Sequence, residues 1–111
     1  MEQLISDTVK GYVGWFAEQN QSKNHSLVFF NVPAPKFNKK FSAEVNEKTA
    51  SIIKLFNSLL HITVSDYEFN IIDLYKFTVG KDVFSNGLFH IDNRHLSSDS
   101  IPEIEKQIGT I

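Results

Sequence analysis

The residues best suited to chemistry lie in one short segment, Asp92-Asn93-Arg94-His95. Asp92 precedes His95 by three residues, so its carboxylate can accept the Nδ1 proton of the imidazole, fix the tautomer and stabilise the protonated ring. The other ring nitrogen, Nε2, is then free to act as a general base. The spacing therefore predicts a catalytic Asp–His dyad, and the alternative interpretation is a solvated pair on a loop.

Three further polar residues of the same region are candidates for substrate contacts. His90 and Arg94 flank Asp92, and Asn86 belongs to a Ser-Asn-Gly sequence that is typical of a turn. An arginine here can hold an acidic group of a substrate. His90, Asp92 and His95 also fit an H-x-D-x-x-H metal pattern. An exposed His90 is the preferred interpretation, and we expect neither a metal nor another cofactor.

A histidine base needs a nucleophile, and the sequence offers no good candidate. The chain contains no cysteine, which excludes thiolate catalysis. Each serine lacks the strand-to-turn context that would expose and activate it. The sequence thus predicts a base and its orienting carboxylate without the residue on which they would act.

Composition limits the classes of partner. The 111 residues are 41% hydrophobic and 22% charged, as in one globular domain, which we place at 1–111. The formal net charge is −2 without a dense basic stripe, so nucleic acid is not an expected partner. The sequence shows no membrane-spanning stretch and no signal-peptide pattern, and we therefore expect no membrane partner and a cytoplasmic location.

Hydrophobic spacing predicts the elements that must position these residues. Apolar residues recur at helical spacing over 2–19 and 42–63, the second helix being capped by Ser42. Ser100 and Glu103 match a capping box for a short helix that ends near residue 108. An apolar run without polar alternation predicts a strand covered on both faces over 26–32, and a second strand is predicted over 69–75. After the second strand, residues 78–94 are too many for a plain connection and are predicted to form the functional loop.

The order strand, helix, strand predicts a right-handed βαβ unit with parallel strands. In such sheets ligands bind beyond the carboxyl ends of the strands, where the loop over 78–94 begins. Two strands leave a long hydrophobic edge unpaired, which proteins normally cover with further strands or a partner. The predicted elements are therefore incomplete as a sheet.

Several segments together resemble the SGNH (GDSL-type) hydrolases. Residues 92–97, DNRHLS, look like the D-x-x-H block that closes these proteins. The strands LVFFNVPAP (27–35) and NIIDLYKFT (70–78) are similar to their fourth and fifth strands. Residues 80–91, GKDVFSNGLFHI, are similar to the approach to their catalytic histidine. The resemblance covers most of the chain from residue 26 onward.

The resemblance implies an α/β fold that is part of a flavodoxin-like three-layer α/β/α arrangement, and hydrolysis of esters or acetyl groups on small molecules or carbohydrates. His95 corresponds to the family's catalytic base and Asp92 to the residue that orients it. The chain departs from the family by lacking the G-D-S nucleophile motif and the G-x-N-D motif that supplies oxyanion donors. It therefore looks like the C-terminal half of such a hydrolase, which is not competent alone and is completed through the sheet edge.

The open edge also allows a second hypothesis from a different class. A small α/β module without catalytic activity would use that edge to self-associate or to pair with another chain.

Overall fold

A computed structural model describes residues 1–111 and contains four α-helices and one two-stranded parallel sheet. The predicted mixed α/β class with a parallel sheet is confirmed. None of the helices has the length and apolar character needed to cross a membrane. The elements in chain order are α1 (Glu2–Asn20), β1 (Val28–Phe30), α2 (Ala43–Asp66), β2 (Asn70–Ile72), α3 (Leu74–Thr78), a 3-10 turn (Ser98–Ser100) and α4 (Ile101–Ile108).

The main hydrophobic core lies between α1, α2 and one face of the sheet. Ile5, Val9 and Val13 follow one another at intervals of four residues and form the buried stripe of α1. They pack with Leu60 and Val64 of α2 and with Phe29 of β1. The predicted helices over 2–19 and 42–63 are confirmed, and each extends slightly further than expected. The complete core cluster is Ile5, Val9, Val13, Phe29, Leu60 and Val64.

The two strands pair in parallel, with Phe29 opposite Ile71, and α2 provides the connection between them. The predicted strand–helix–strand order is therefore confirmed. Phe29 is buried, whereas the neighbouring side chains Val28 and Phe30 are 45% and 57% exposed. The expectation that β1 is covered on both faces is wrong, because nothing in the chain packs over the second face at this strand.

The second strand is shorter than predicted because a helix begins immediately after it. Asp73 adopts extended backbone angles and its carboxylate accepts a hydrogen bond from the Lys76 amide at 2.9 Å, which makes it the N-cap of α3. Leu74 and Tyr75, which the apolar run assigned to the strand, belong to this helix. Asp73 thus lies at the carboxyl end of β2.

The two predicted helix caps have different outcomes. The Ser42 hydroxyl accepts a hydrogen bond from the Val45 amide at 3.2 Å, as expected. The capping box at Ser100 is wrong, since the Ser100 hydroxyl donates to the Ser97 carbonyl at 2.7 Å instead of capping α4. The 3-10 turn that precedes α4 draws Ser100 into a buried position and turns its side chain backward.

The outer edges of the two strands differ. Gln107 of α4 accepts a hydrogen bond from the Asp73 amide at 2.6 Å and donates to the Asp73 carbonyl at 2.9 Å. A side-chain amide therefore occupies the position that a neighbouring strand would take at the end of β2. On β1, bonds to β2 use the Leu27 carbonyl and the Asn31 amide. The alternation of a parallel ladder then points the backbone groups of residues 28 and 30 outward, and they have no partner.

Candidate functional site

Asp92 and His95 are in direct contact. The Asp92 Oδ2 atom lies 2.9 Å from His95 Nδ1. Asp92 Oδ1 accepts hydrogen bonds from the backbone amides of Arg94 and His95, both at 2.7 Å. These two bonds close a tight turn and hold the Asp92 carboxylate in place beside the His95 ring. The structure therefore brings together the two residues of the predicted dyad.

A short antiparallel pairing supports this turn. His90 and Leu96 form an isolated bridge, and the amide of Ile91 donates to the His95 carbonyl at 2.9 Å. Phe89, at the base of the turn, packs edge-to-face on Phe77 at a centroid distance of 5.0 Å. The turn that carries the dyad is thus anchored to the segment that follows β2.

The hydrogen bonds around Asp92 determine its charge state. The amide of Arg94, the His95 ring and the His95 amide hold the pKa of this carboxyl well below its usual range, the Arg94 amide being the largest cause. Asp92 is therefore ionised at neutral pH, as orientation and stabilisation of an imidazolium require. No protein atom hydrogen-bonds His95 Nε2, and the side chain is 75% exposed. The second ring nitrogen is open to a reactant.

The candidate substrate residues have different environments. His90 Nδ1 lies 2.9 Å from the Ser85 hydroxyl, and burial, followed by the charge of Lys36, lowers the pKa of this imidazole although the charge of Asp92 opposes the shift. Arg94 forms no ion pair and, with His90, lines a groove beside the loop after β1. The Asn86 amide instead holds the loop, donating to the Phe77 carbonyl and accepting from the Leu88 amide.

The metal pattern, the Ser-Asn-Gly turn and the search for a nucleophile concern the same residues. No group of three His, Asp or Glu side chains is placed to hold a metal ion, and His90 Nδ1 contacts the Ser85 hydroxyl. Ser85 occupies the predicted turn, where the Gly87 amide donates to its hydroxyl at 3.0 Å and Gly87 has a φ of 79°. No serine hydroxyl hydrogen-bonds His95. The structure thus contains an Asp92–His95 pair without a serine hydroxyl in hydrogen-bond contact with the ring.

A second polar cluster, which sequence reasoning missed, lies at the carboxyl ends of the two strands. Asn31 directly follows β1, and its side chain donates to Asp73 Oδ1 at 2.8 Å and lies 3.1 Å from His61 Nε2. Its oxygen accepts from the amides of Leu74 and Tyr75 at 2.6 and 3.2 Å. Asn31 is only 4% exposed, so this one side chain fixes the start of α3 against the end of β1.

A sequence signal for this cluster exists in part. Asn31 and Asp73 each follow an apolar run, and the carboxyl ends of parallel strands meet at the same edge of a sheet. His61 of α2 completes the cluster, since its ring contacts Asn31 and lies 3.8 Å from the Asp73 carboxylate. Its position along α2 gives no signal for this contact, because it depends on residues distant in the sequence.

Comparison with known proteins gave no relative. No family model matches the chain, and searches of curated proteins and of solved structures found no match.

Proposed function

We propose that this chain supplies the general base, His95, and the orienting residue, Asp92, of an SGNH-type ester hydrolase whose nucleophilic serine lies outside residues 1–111. The observation that carries the proposal is the 2.9 Å contact between Asp92 Oδ2 and His95 Nδ1, with Nε2 unpaired and exposed. The resemblance of residues 92–97 to the family's D-x-x-H block supplies the reaction class. The substrate is an ester or acetyl group on a small molecule or carbohydrate, and no cofactor takes part.

The chemistry assigned to the pair is acyl transfer. His95 Nε2 takes the proton of the serine hydroxyl as the oxygen attacks the ester carbonyl, and the imidazolium then gives that proton to the leaving alcohol. Asp92 holds Nδ1–H and stabilises the positive ring during both steps. Water, deprotonated by the same Nε2, then releases the acyl group and restores the serine. The oxyanion donors come from the segment that brings the serine.

The sheet supports a completed, flavodoxin-like three-layer domain. Gln107 blocks the outer edge of β2 at its carboxyl end, whereas the backbone groups of Val28 and Phe30 on β1 are unpaired. Additional strands therefore have a place on the β1 side. The molecule measures 47 × 34 × 19 Å, and its radius of gyration of 15.1 Å exceeds the roughly 13 Å of a compact domain of this length. Such a flat shape is expected of part of a larger layered domain.

Exposed aromatic residues beside this edge point in the same direction. Tyr12, Trp15 and Phe16 of α1 are partly exposed. Phe16 packs edge-to-face with both Tyr12 and Trp15, and Tyr12 and Phe16 also contact Phe29 of β1. Phe30 points to the opposite face of the sheet and is also exposed beside the unpaired backbone groups. A serine-bearing segment that packs against this edge would pair the free backbone groups of β1 and cover exposed aromatic side chains.

The location of the reactive serine tests this proposal. The native polypeptide is captured from its source cells with an antibody against residues 1–111, its intact mass is measured, and it is treated with a fluorophosphonate probe. We expect a label on a serine that lies outside residues 1–111, in the same chain or in a captured partner, because an activated serine attacks such probes. Mass spectrometry of the labelled peptide identifies its position.

The control compares two histidine variants of the native protein. His95→Ala is expected to abolish labelling, whereas His25→Ala retains it, because His25 has no side-chain contact with the dyad. The absence of any labelled serine, or labelling that survives His95→Ala, contradicts the proposal.

The unpaired β1 edge also favours a second candidate function, self-association. Two copies related by a two-fold axis can pair β1 with β1 in antiparallel orientation, with Val28 of one copy opposite Phe30 of the other, because both residues point their amides and carbonyls outward. Sedimentation equilibrium of residues 1–111 is expected to show a dimer that Phe30→Lys dissociates. Ile62→Lys, on an exposed position of α2, is the matched control. A monomer at high protein concentration contradicts this candidate.

A further inference from the structure

A groove of about 290 Å³ lies between the loop after β1, the first half of α2 and the turn that carries the dyad. Its volume is at the lower end of the range for small-ligand sites. The groove and the dyad share a wall, since Arg94 lines the groove and Asp92 and His95 flank Arg94 in the same turn. Its lining includes Pro35, Lys36, Phe41, Ile53, His90 and Arg94.

The charged residues of the groove all have the same sign. Lys36 stands on one wall and Arg94 on the other, and no Asp or Glu is among the lining residues. Neither cation takes part in an ion pair. The nearest carboxylate in sequence, Asp92, is engaged by His95 and by two backbone amides. A chain with a formal net charge of −2 thus presents a locally cationic groove.

Part of the groove surface is apolar, and the loop that carries it is held in place. Pro35, Phe41 and Ile53 provide a body of carbon atoms between the polar walls. The Ala34 amide donates to the Thr78 hydroxyl at 2.9 Å, and the Pro35 carbonyl accepts from the Ser85 amide at 2.8 Å. These bonds fix the loop after β1 before any ligand binds, which lowers the entropic cost of binding.

We propose that this groove binds a small organic anion, with its carboxylate or phosphate between Lys36 and Arg94 and its apolar body against Pro35, Phe41 and Ile53. Arg94 provides a planar pair of N–H donors that matches either headgroup, and Lys36 adds a second positive charge. Because the pKa of His90 is lowered, its ring lines the groove as a neutral imidazole near pH 7. This inference rests on the proposed function in one respect, because the anion is assigned as a part of the ester substrate on which the dyad acts.

Binding by residues 1–111 alone tests the inference without any requirement for turnover. The ¹⁵N-labelled protein is titrated with phenyl phosphate, benzoate and neutral benzamide, and amide chemical shifts are followed by NMR. We expect the two anions to shift the amides of residues 34–38 and 90–94, and benzamide to bind at least about tenfold more weakly, since a charged hydrogen bond contributes about that factor. The tighter of the two anions identifies the headgroup.

Charge-removing variants provide the matched comparison. Lys36→Gln and Arg94→Gln are each expected to weaken binding of the preferred anion about tenfold. Lys39→Gln, in the same loop but outside the groove, is expected to leave it unchanged. Equal binding of benzamide, or the same loss in Lys39→Gln as in Arg94→Gln, overturns the inference.

The two proposals can fail separately. Anion binding that depends on Arg94, without a labelled serine in the native protein, retains the groove and rejects the hydrolase. A labelled serine together with no preference for anions retains the hydrolase and rejects the anionic substrate. Anion binding is also expected to survive His95→Ala, because His95 does not line the groove.

Discussion

If His95 is the base of the proposed hydrolase, replacing it with alanine is expected to lower kcat of the assembled protein by at least about a thousandfold, as loss of a catalytic base does in serine hydrolases. The physical reason is that a serine hydroxyl is a poor nucleophile until a base removes its proton. His95 Nε2 has no other partner, and Nδ1 is already held by Asp92 at 2.9 Å. Initial rates with p-nitrophenyl acetate measure the loss, with the serine-bearing segment present.

Asp92→Asn separates the charge of the dyad from the shape of its turn. An asparagine oxygen can still accept from the amides of Arg94 and His95, so the turn is retained. Its amide nitrogen can only donate toward Nδ1, which favours the wrong tautomer of His95. We expect kcat to fall roughly a hundredfold or more while the melting temperature changes little. Near-normal rates in both dyad variants would falsify the assignment of His95 as the base.

The pH of the assay does not obscure this comparison. The folded-state pKa of Asp92 lies below the value in the unfolded chain. Its hydrogen bonds therefore stabilise the turn at every pH above the ordinary range of an Asp carboxyl, and this contribution is lost only as the pH falls through the lower, folded value. Rates measured near neutral pH thus report on an ionised Asp92.

Local sequence patterns were sufficient to predict the features that depend on residues near one another along the chain. The spacing of Ile5, Val9 and Val13 predicted α1, and a serine before an apolar helix predicted the Ser42 cap. The contact of Asp92 with His95 follows from their separation by three residues in a turn. In each case, the interacting groups are close together along the chain.

Features that depend on distant residues were not predictable in the same way. A run of Leu74, Tyr75 and Phe77 after β2 suits a strand by composition, but the Asp73 carboxylate and the side chain of the distant Asn31 accept the first backbone amides of α3 and favour the helix. The exposure of Phe30 depends on what covers the second face of the sheet, which no periodicity of β1 itself can reveal. The same limit applies to His95, because its contact with Asp92 is local whereas the proposed serine and substrate are not part of the same segment.

The Asn31 cluster is the strongest example of a distant dependence, and it leads to the largest expected effect on stability. Asn31→Ala is expected to lower the free energy of unfolding by about 3 kcal/mol, measured by urea denaturation. The reason is that the change removes the acceptor for the amide of Leu74 and a donor to Asp73 in a buried position. Asn93→Ala, whose exposed side chain makes no hydrogen bond within the protein, should change stability by less than about 0.5 kcal/mol.

A double-mutant cycle with His61→Ala identifies the origin of this loss. Because Asn31 and His61 share a contact of 3.1 Å, the double variant should lose less stability than the sum of the two single variants. Full additivity would place the effect in the bonds of Asn31 to the start of α3 alone. A loss below about 0.5 kcal/mol for Asn31→Ala would contradict the role of this side chain altogether, because a buried amide left without its acceptor costs more than that. Phe77 of α3, the helix that begins at this junction, packs on Phe89 at the base of the turn that bears Asp92 and His95, so the Asn31 cluster and this turn are connected through α3.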